Sequence, residues 1–372
     1  MARLYRFTEL LLNIKHYRCF DCRGTLSKLE LRMTEEIKKT SLDILKAIKG
    51  AKNVLLHCHP YADPDSIGSV LAMTMVLKNM GISATPISGD SNYPSNLTSL
   101  PQHDLIVPKN FTQINVSDFD LFIIMDSSSP NQITKLTEVV FPKSLKTIVI
   151  DHHVSNQKYG DINLVVNDSS STCEVLFNLF KEWKVEIDKD IAICLFLGIF
   201  SDTGGFKYQA TTADTLLAAS ELARINDGFP DVIFEMENSR NAQEIEFTGL
   251  ALSSLRKYFS GRVVMATVPF SDIEKLGISK EHTQVGIANI LLSVVGWDIA
   301  ISLVETEPNV VTVSLRTRDS EKYDVSLIAM AVGKGGGHKA AAGTSINESF
   351  EKSIEMLVDT IATTFPELGS AE

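Results

Sequence analysis

The sequence has little cysteine: five residues in 372, Cys19, Cys22, Cys58, Cys173 and Cys194. An odd, scattered set builds no disulfide framework and points to a reducing, cytoplasmic setting. There is no apolar run near the ~20 residues that a membrane-spanning helix needs. The longest, Ile191 to Phe200, meets Asp202 almost at once and reads as a buried helix. Positive charge is not in surplus either, since 46 Asp and Glu against 35 Lys and Arg leave a net charge of −11. A general basic field for long nucleic acid is thereby excluded; phosphates must be met by metals or by a few placed Arg and Lys. Repeats and low-complexity stretches are missing, and 44% hydrophobic with 22% charged residues is a globular composition, not a disordered or collagen-like one.

The first 32 residues stand apart. Their stretch L-L-L-N-I is too short for a secretory signal core. Cys19 and Cys22 form a lone C-x-x-C, and a zinc ribbon needs a second pair nearby. The segment reads as a poorly ordered extension, or as an upstream start with Met33 the functional first residue. From there the pattern is regular. Glu35 to Ile48 has the apolar spacing of an amphipathic helix, and Ser66 to Met80 reads as another, closed by Gly81. Apolar strands recur at Asn53–His59, Ala84–Ser88, Asp120–Asp126, Lys146–Asp151 and Leu164–Asn167. Continuous rather than alternating apolar runs suit a parallel sheet buried on both faces. Helical stretches between the strands point to an open α/β sheet with crossovers over 33–211. Residues 212–260 read as a helical connector, with helices at Ala213–Ile225 and Ala242–Phe259 around D-G-F-P. Over 261–372 the texture becomes that of a smaller α+β domain. It has a strand at Arg262–Pro269, a helix at Thr283–Val295, a hairpin around E-P-N and helices at Val325–Val332 and Ser349–Thr364.

Chemistry collects at the ends of the apolar elements. In H-C-H-P-Y-A-D-P-D-S, His59, Asp63 and Asp65 sit between a strand and a helix. Open α/β sheets bind ligands beyond the carboxyl ends of their strands. Two carboxylates so close repel each other unless a cation lies between them; oxygen with nitrogen ligands suits manganese, magnesium or zinc. Asp126 closes a second apolar strand, and Asp151, His152 and His153 close a third. Adjacent histidines can point to opposite sides, one to metal and one to substrate, with Asp151 placed to hold an imidazole in one tautomer. Asp202 follows the apolar helix in D-T-G-G-F. Six groups, His59, Asp63, Asp65, Asp126, His152 and Asp202, suit two divalent ions if one carboxylate bridges. Paired ions ~3.5–4 Å apart activate water and clamp both oxygens of a phosphoryl transfer. In the last third, G-K-G-G-G-H-K-A-A-A-G reads as a flexible loop of free N–H groups that can nest an anion. Arg316 and Arg318, two apart on a strand, share a face, and an Arg fork suits a terminal phosphate.

These motifs resemble the DHH phosphoesterase superfamily: H-x-x-x-D-x-D, the strand-terminal Asp126, D-H-H and D-T-G, followed by R-T-R and G-G-G-H-K-A-A-A-G as in its associated C-terminal domain. Together they are similar to the bifunctional oligoribonuclease and pAp phosphatase branch, the nanoRNases. The resemblance implies a DHH-type catalytic domain and hydrolysis of short single-stranded RNA oligonucleotides and of pAp, with no membrane partner. It implies one metal at His59, Asp63 and Asp126 and a second at Asp65, Asp126, His152 and Asp202. Manganese is the usual ion, with magnesium or cobalt as substitutes. His153, supported by Asp151, would face the scissile phosphate. Arg316 and Gly335, Gly336, Gly337 and His338 would hold the substrate. A homodimer is expected by base rate. The sequence departs from the family at Y-A-D-P-D, where N-P-D-G-D is common, and at Lys334, where a further glycine is frequent. Linear pApA or pGpG, single-stranded DNA as in RecJ-type exonucleases, and pyrophosphate are rival substrates for the same site. A nucleotide-binding scaffold with a silent site is the non-enzymatic alternative.

Overall fold

A computed structural model describes residues 34–370, apart from Gln284 and Lys334. The extension with its C-x-x-C pair, and the Lys334 departure, therefore lie outside the described residues. The chain divides into two compact units between Ser239 and Arg240.

In the first unit the apolar runs become five parallel strands: β1 (Asn53–His57), β2 (Ser83–Ile87), β3 (Leu121–Met125), β4 (Lys146–Asp151) and β5 (Ile162–Val165). Their order is β2-β1-β3-β4-β5, so the direction of winding reverses between β1 and β3. In sheets of this kind the carboxyl edge at such a reversal is where ligands bind. Val54, Leu56, Ile123, Met125, Ile148 and Ile150 turn to the helical side. Leu55, Phe122, Ile124 and Val149 turn to the other.

The helical side is built by α1 (Glu35–Gly50), α2 (Pro64–Asn79), α3 (Thr172–Glu182), α4 (Lys189–Asp202), α5 (Ala213–Ile225) and α6 (Phe229–Asn238). Their starts are capped by side-chain oxygens: Thr34 for α1, Asp63 for α2, Ser171 for α3 and Asp188 for α4. The opposite side is not helical. Between β2 and β4 the chain runs through short 3-10 turns, and Phe111 and Phe141 cover Phe122. Pro94, Pro101, Pro108 and Pro142 interrupt that stretch, where the expected crossovers would have been α-helices.

The second unit carries a six-stranded sheet in the order β10-β11-β9-β8-β7-β6. The strands are β6 (Arg256–Tyr258), β7 (Val263–Val268), β8 (Ile299–Glu307), β9 (Val310–Thr317), β10 (Gly336–His338) and β11 (Ala341–Ile346). Only the β7–β8 pair is parallel; the others are antiparallel. One core joins this sheet to α10 (Val325–Val332) and α11 (Phe350–Thr364). Another joins its other face to α7 (Ala242–Ser253), α8 (Phe270–Leu276) and α9 (Ile287–Leu292).

Three expectations change. The segment 212–260 is not one connector, because α5 and α6 pack on the first core and α7 on the second. The helix expected over Ala242–Phe259 ends at Ser253 and gives way to β6. The helix expected over Thr283–Val295 is shortened to Ile287–Leu292, because Gly286 before it takes a left-handed φ of 65°. No helix among the described residues is long and apolar enough to cross a membrane.

Candidate metal centre

β1, β3 and β4 end at one edge, and each delivers polar groups there. Past β1, Asp63 caps α2 by accepting from the N–H groups of Asp65 (3.1 Å) and Ser66 (3.0 Å). Pro64 at the first helical position enforces this turn without wasting an N–H. Asp65 points inward, fully buried, and its carboxylate accepts from the N–H groups of Thr172 (2.7 Å) and Cys173 (2.9 Å) at the start of α3. The positive end of a helix thus helps to hold a buried negative charge. Asp126, past β3, takes a left-handed φ of 52°, which is uncommon outside glycine but tolerated by Asp. It is 2% exposed and also accepts from Thr172 Oγ1 at 3.2 Å.

The six expected metal ligands come together around Asp126. His59 Nε2 lies 3.3 Å from Asp126 Oδ2 and 3.7 Å from Asp63 Oδ1. His152 Nε2 lies 3.8 Å from Asp126 Oδ1 and 3.3 Å from Asp202 Oδ2. Among the described residues, three sets have donor atoms within 4.8 Å of one another: His59, Asp63 and Asp126; Asp65, His152 and Asp202; and Asp126, Asp151, His152 and His153. Asp126 and His152 each belong to two sets.

Each histidine is turned by what its Nδ1 touches. His59 Nδ1 lies 3.1 Å from Pro60 O, and His152 Nδ1 lies 3.4 Å from Ser169 O. A carbonyl can only accept, so Nδ1 carries a proton and Nε2 is the nitrogen that faces the carboxylates. His153 Nδ1 donates to Asp151 Oδ1 at 2.8 Å, while Asp151 also accepts from the His152 N–H (2.8 Å) and from Asn156 Nδ2 (2.6 Å). The Asp of the triplet therefore orients the last histidine.

The electrostatics fit a cation. Burial, then the neighbouring Asp126 and Asp202 charges, push the Asp65 carboxyl well above the usual range. Burial and the carboxylates of Asp126 and Asp63 raise Asp202, against the opposing influence of the nearby His152. Burial disfavours charge on His59, yet Asp126 and Asp63 hold its pKa up at about 11. Burial likewise opposes charge on His152, but Asp202, Asp65 and Asp126 raise it to about 9. Protons on the imidazoles thus stand in for missing positive charge. The buried His152 Nε2 makes no hydrogen bond although carboxylates surround it. A divalent ion would displace the proton from that nitrogen, take its lone pair and neutralise the carboxylates at once.

Several supporting residues were not legible from motifs. Asn156 Nδ2 bridges Asp151 Oδ2 (2.6 Å) to Ser127 O (3.2 Å), and Tyr159 Oη also donates to Ser127 O (3.0 Å). The turn that carries Asp126 is thereby tied to the D-H-H strand. Asn156→Ala is expected to reduce turnover about tenfold or more while metal content changes little. Parallel kinetics and metal analysis check this, and unchanged kinetics would refute it. His57, buried in β1, has its Nε2 3.3 Å from Gln132 O and 3.4 Å from Ser127 Oγ, and burial lowers its pKa to about 3. It supports the Asp126 turn rather than joining the ligand sets.

Gly198 of α4 explains the close helix packing. A Cβ there would lie 2.3 Å from Cys173 Sγ and 2.7 Å from Asp65 Oδ1. Gly198→Ala is expected to destabilise the fold by about 1–3 kcal/mol and to weaken metal binding by displacing Asp65. Melting and metal titration test it; a variant with native Tm and metal affinity would show that the space is not needed.

The expected substrate residues lie in the second unit. Gly336–His338 is not a free loop but the edge strand β10, paired with β11. Gly335 and Gly337 are required by space: a Cβ on either would lie 2.3 Å from Gly343 O or 2.5 Å from Ala341 O, respectively. At Gly336 a Cβ would meet nothing within 4 Å. Ala341 of β11 pairs with His338 on one side and Arg316 on the other, so these residues share a sheet face. Arg316 Nε donates to Asn289 Oδ1 at 2.8 Å. Asn289, Ser302, Thr312, Ser314 and Arg316, with Ile287 and Val304, line a cavity of about 300 Å³. Arg318 binds the Leu292 and Val294 carbonyls just past α9.

Family models match both units: the DHH family, N-terminal domain, over residues 53–199, and the DHHA1 domain over residues 263–366. The chain belongs to the DHH superfamily of phosphoesterases, whose members depend on metal ions. Within that superfamily it is nanoRNase-like. It is 26% identical over 318 residues to a bifunctional oligoribonuclease and PAP phosphatase of Thermus thermophilus, covering 84% of this chain and 91% of that protein. It is also 31% identical over 180 residues to a probable manganese-dependent inorganic pyrophosphatase of Bacillus licheniformis, covering 46% of this chain and 55% of that protein. An exopolyphosphatase-related protein from Bacteroides fragilis shares the fold, with a TM-score of 0.80 at 22% identity over 89% of this chain and 98% of that one.

Proposed function

We propose that the protein is a manganese-dependent phosphoesterase that hydrolyses short RNA oligonucleotides to mononucleotides and dephosphorylates pAp to AMP. The observation that carries this reading is the convergence of His59, Asp63, Asp65, His152 and Asp202 on the buried Asp126. His59, Asp63 and Asp126 would hold one ion; Asp65, Asp126, His152 and Asp202 would hold the other, with Asp126 shared. Two bound manganese ions would supply Lewis acidity and charge neutralisation at the phosphoryl group. His153, held at Nδ1 by Asp151, keeps Nε2 for the reacting phosphate. In this reading its proton goes to the leaving oxygen as the phosphorus–oxygen bond breaks. Arg316, Gly335, Gly336, Gly337 and His338 would bind substrate phosphate through the guanidinium and backbone N–H groups. The relationship to the Thermus thermophilus oligoribonuclease and PAP phosphatase favours these substrates over pyrophosphate, because its match spans both domains. A cytoplasmic location and a homodimer belong to the same reading; the buried thiols of Cys58, Cys173 and Cys194 suit a reducing compartment.

Product analysis tests the proposal. Short RNA labelled at either end, beside pAp, is incubated with manganese and with magnesium. Mononucleotides from RNA and AMP with phosphate from pAp are expected. Absence of all these products would refute the reading. Extending the substrates from two to about twenty nucleotides, and adding pApA and pGpG, separates it from a dinucleotide-specific or long-strand enzyme.

A further inference from the structure

Tyr61 sits between His59 and Asp63 in the loop where the sequence departs from its family. Its side chain is 75% exposed, and its φ is +61°. A bulky residue in the left-handed region is a backbone outlier, and glycine would take the same turn without strain. The turn itself therefore does not call for an aromatic side chain.

The loop is braced from two sides. Tyr61 N–H donates to Ser91 Oγ at 2.8 Å. The adjacent Asp90 accepts from Thr134 Oγ1 at 2.8 Å and from Lys135 N–H at 2.6 Å. Lys135 then places its ammonium over the Tyr61 ring, 5.2 Å from the centroid. Three loops past the carboxyl ends of β1, β2 and β3 thus hold one exposed ring beside two candidate metal ligands. Strain maintained by such bracing marks functional positions. An aromatic face with a cation on one side and solvent on the other is the environment in which a nucleobase stacks.

We propose that Tyr61 is the base-stacking platform of the metal centre, receiving one nucleobase of the substrate while Lys135 steadies the ring. This rests on the phosphoesterase reading above and adds a determinant of substrate class: the ring selects phosphoesters that carry a base, without selecting which base.

The test compares a 5′-phosphorylated diribonucleotide with the same compound lacking either base. Tyr61→Gly removes the ring while accepting the backbone conformation, and Tyr61→Phe retains the ring. For the base-bearing compound, KM in Tyr61→Gly is expected to rise about tenfold or more, with kcat little changed. Tyr61→Phe should match wild type, and at least one abasic compound should be handled alike by all three proteins. A 2-aminopurine dinucleotide bound without metal gives a second readout. Its fluorescence should be quenched by wild type and Tyr61→Phe, and remain bright when bound to Tyr61→Gly. Equal losses on base-bearing and both abasic compounds, or no loss on any, would overturn the platform while leaving the phosphoesterase intact. Wild-type protein that cleaves none of the compounds would remove the proposed function and this inference with it.

Discussion

Asp126→Asn is expected to abolish phosphoesterase turnover, by at least about a thousandfold, and to strip most of the bound divalent metal. The substitution is chosen for its physics. Asn tolerates the left-handed φ of 52° as Asp does, and its amide oxygen can still accept from Thr172 Oγ1. What disappears is the charge shared between His59 and His152, so each candidate ion loses a ligand together. In metal-free protein the Asp126 charge repels the Asp65 and Asp202 carboxylates but also holds His59 and His152 protonated, so both effects go with it. Metal content by mass spectrometry and turnover together decide the matter. A variant with full metal and full activity would dismantle the proposed centre.

The second large effect is on stability. Metal-free protein is expected to lose about 5 °C or more in Tm between pH ~6 and ~9. The raised histidines give the sign. His152, at about 9, and His59, at about 11, bind protons more tightly folded than unfolded. Their contribution is complete below the unfolded value near 6.5 and is lost as pH rises through the folded values. Asp65 and Asp202 act in the same direction, because a raised carboxyl pKa makes ionisation a growing cost. Asp63 and Asp151 have lowered pKa values, through hydrogen bonds and charge from His59 and His153 that outweigh burial. Their stabilisation is lost only in acid, outside this window. A divalent ion replaces the protons, so manganese should raise Tm more at pH ~9 than at pH ~6. Melts with chelator and with manganese across that range test it; metal-free melts that hold or rise would contradict the charge balance described for the site.

Much of the first unit could be read directly. Buried strands without alternation gave themselves away as continuous apolar runs, and the groups that follow them had to lie at one edge once the sheet was parallel. His59, Asp126 and the D-H-H triplet are therefore visible as a constellation in the sequence itself. Other contributions depend on properties that no motif displays. Asp65 is held by the backbone N–H groups of Thr172 and Cys173, which have the same chemistry in every non-proline residue. Asn156 acts through a carbonyl 29 positions away. Gly198 matters for the atoms a larger residue would meet. The proline-broken stretch between β2 and β4 hid its 3-10 turns, because apolar anchors such as Phe111 and Phe141 lack a helical period. In the second unit, successive glycines looked like a loop because they carry no side-chain pattern, yet β11 recruits them as an edge strand.

The division between Ser239 and Arg240 has a consequence for biosynthesis. Every strand of the parallel sheet is translated before that point and every strand of the mixed sheet after it. The earlier unit can close its sheet on the ribosome, without a strand borrowed from polypeptide yet to emerge. Nascent chains arrested after that unit has left the exit tunnel should already resist protease.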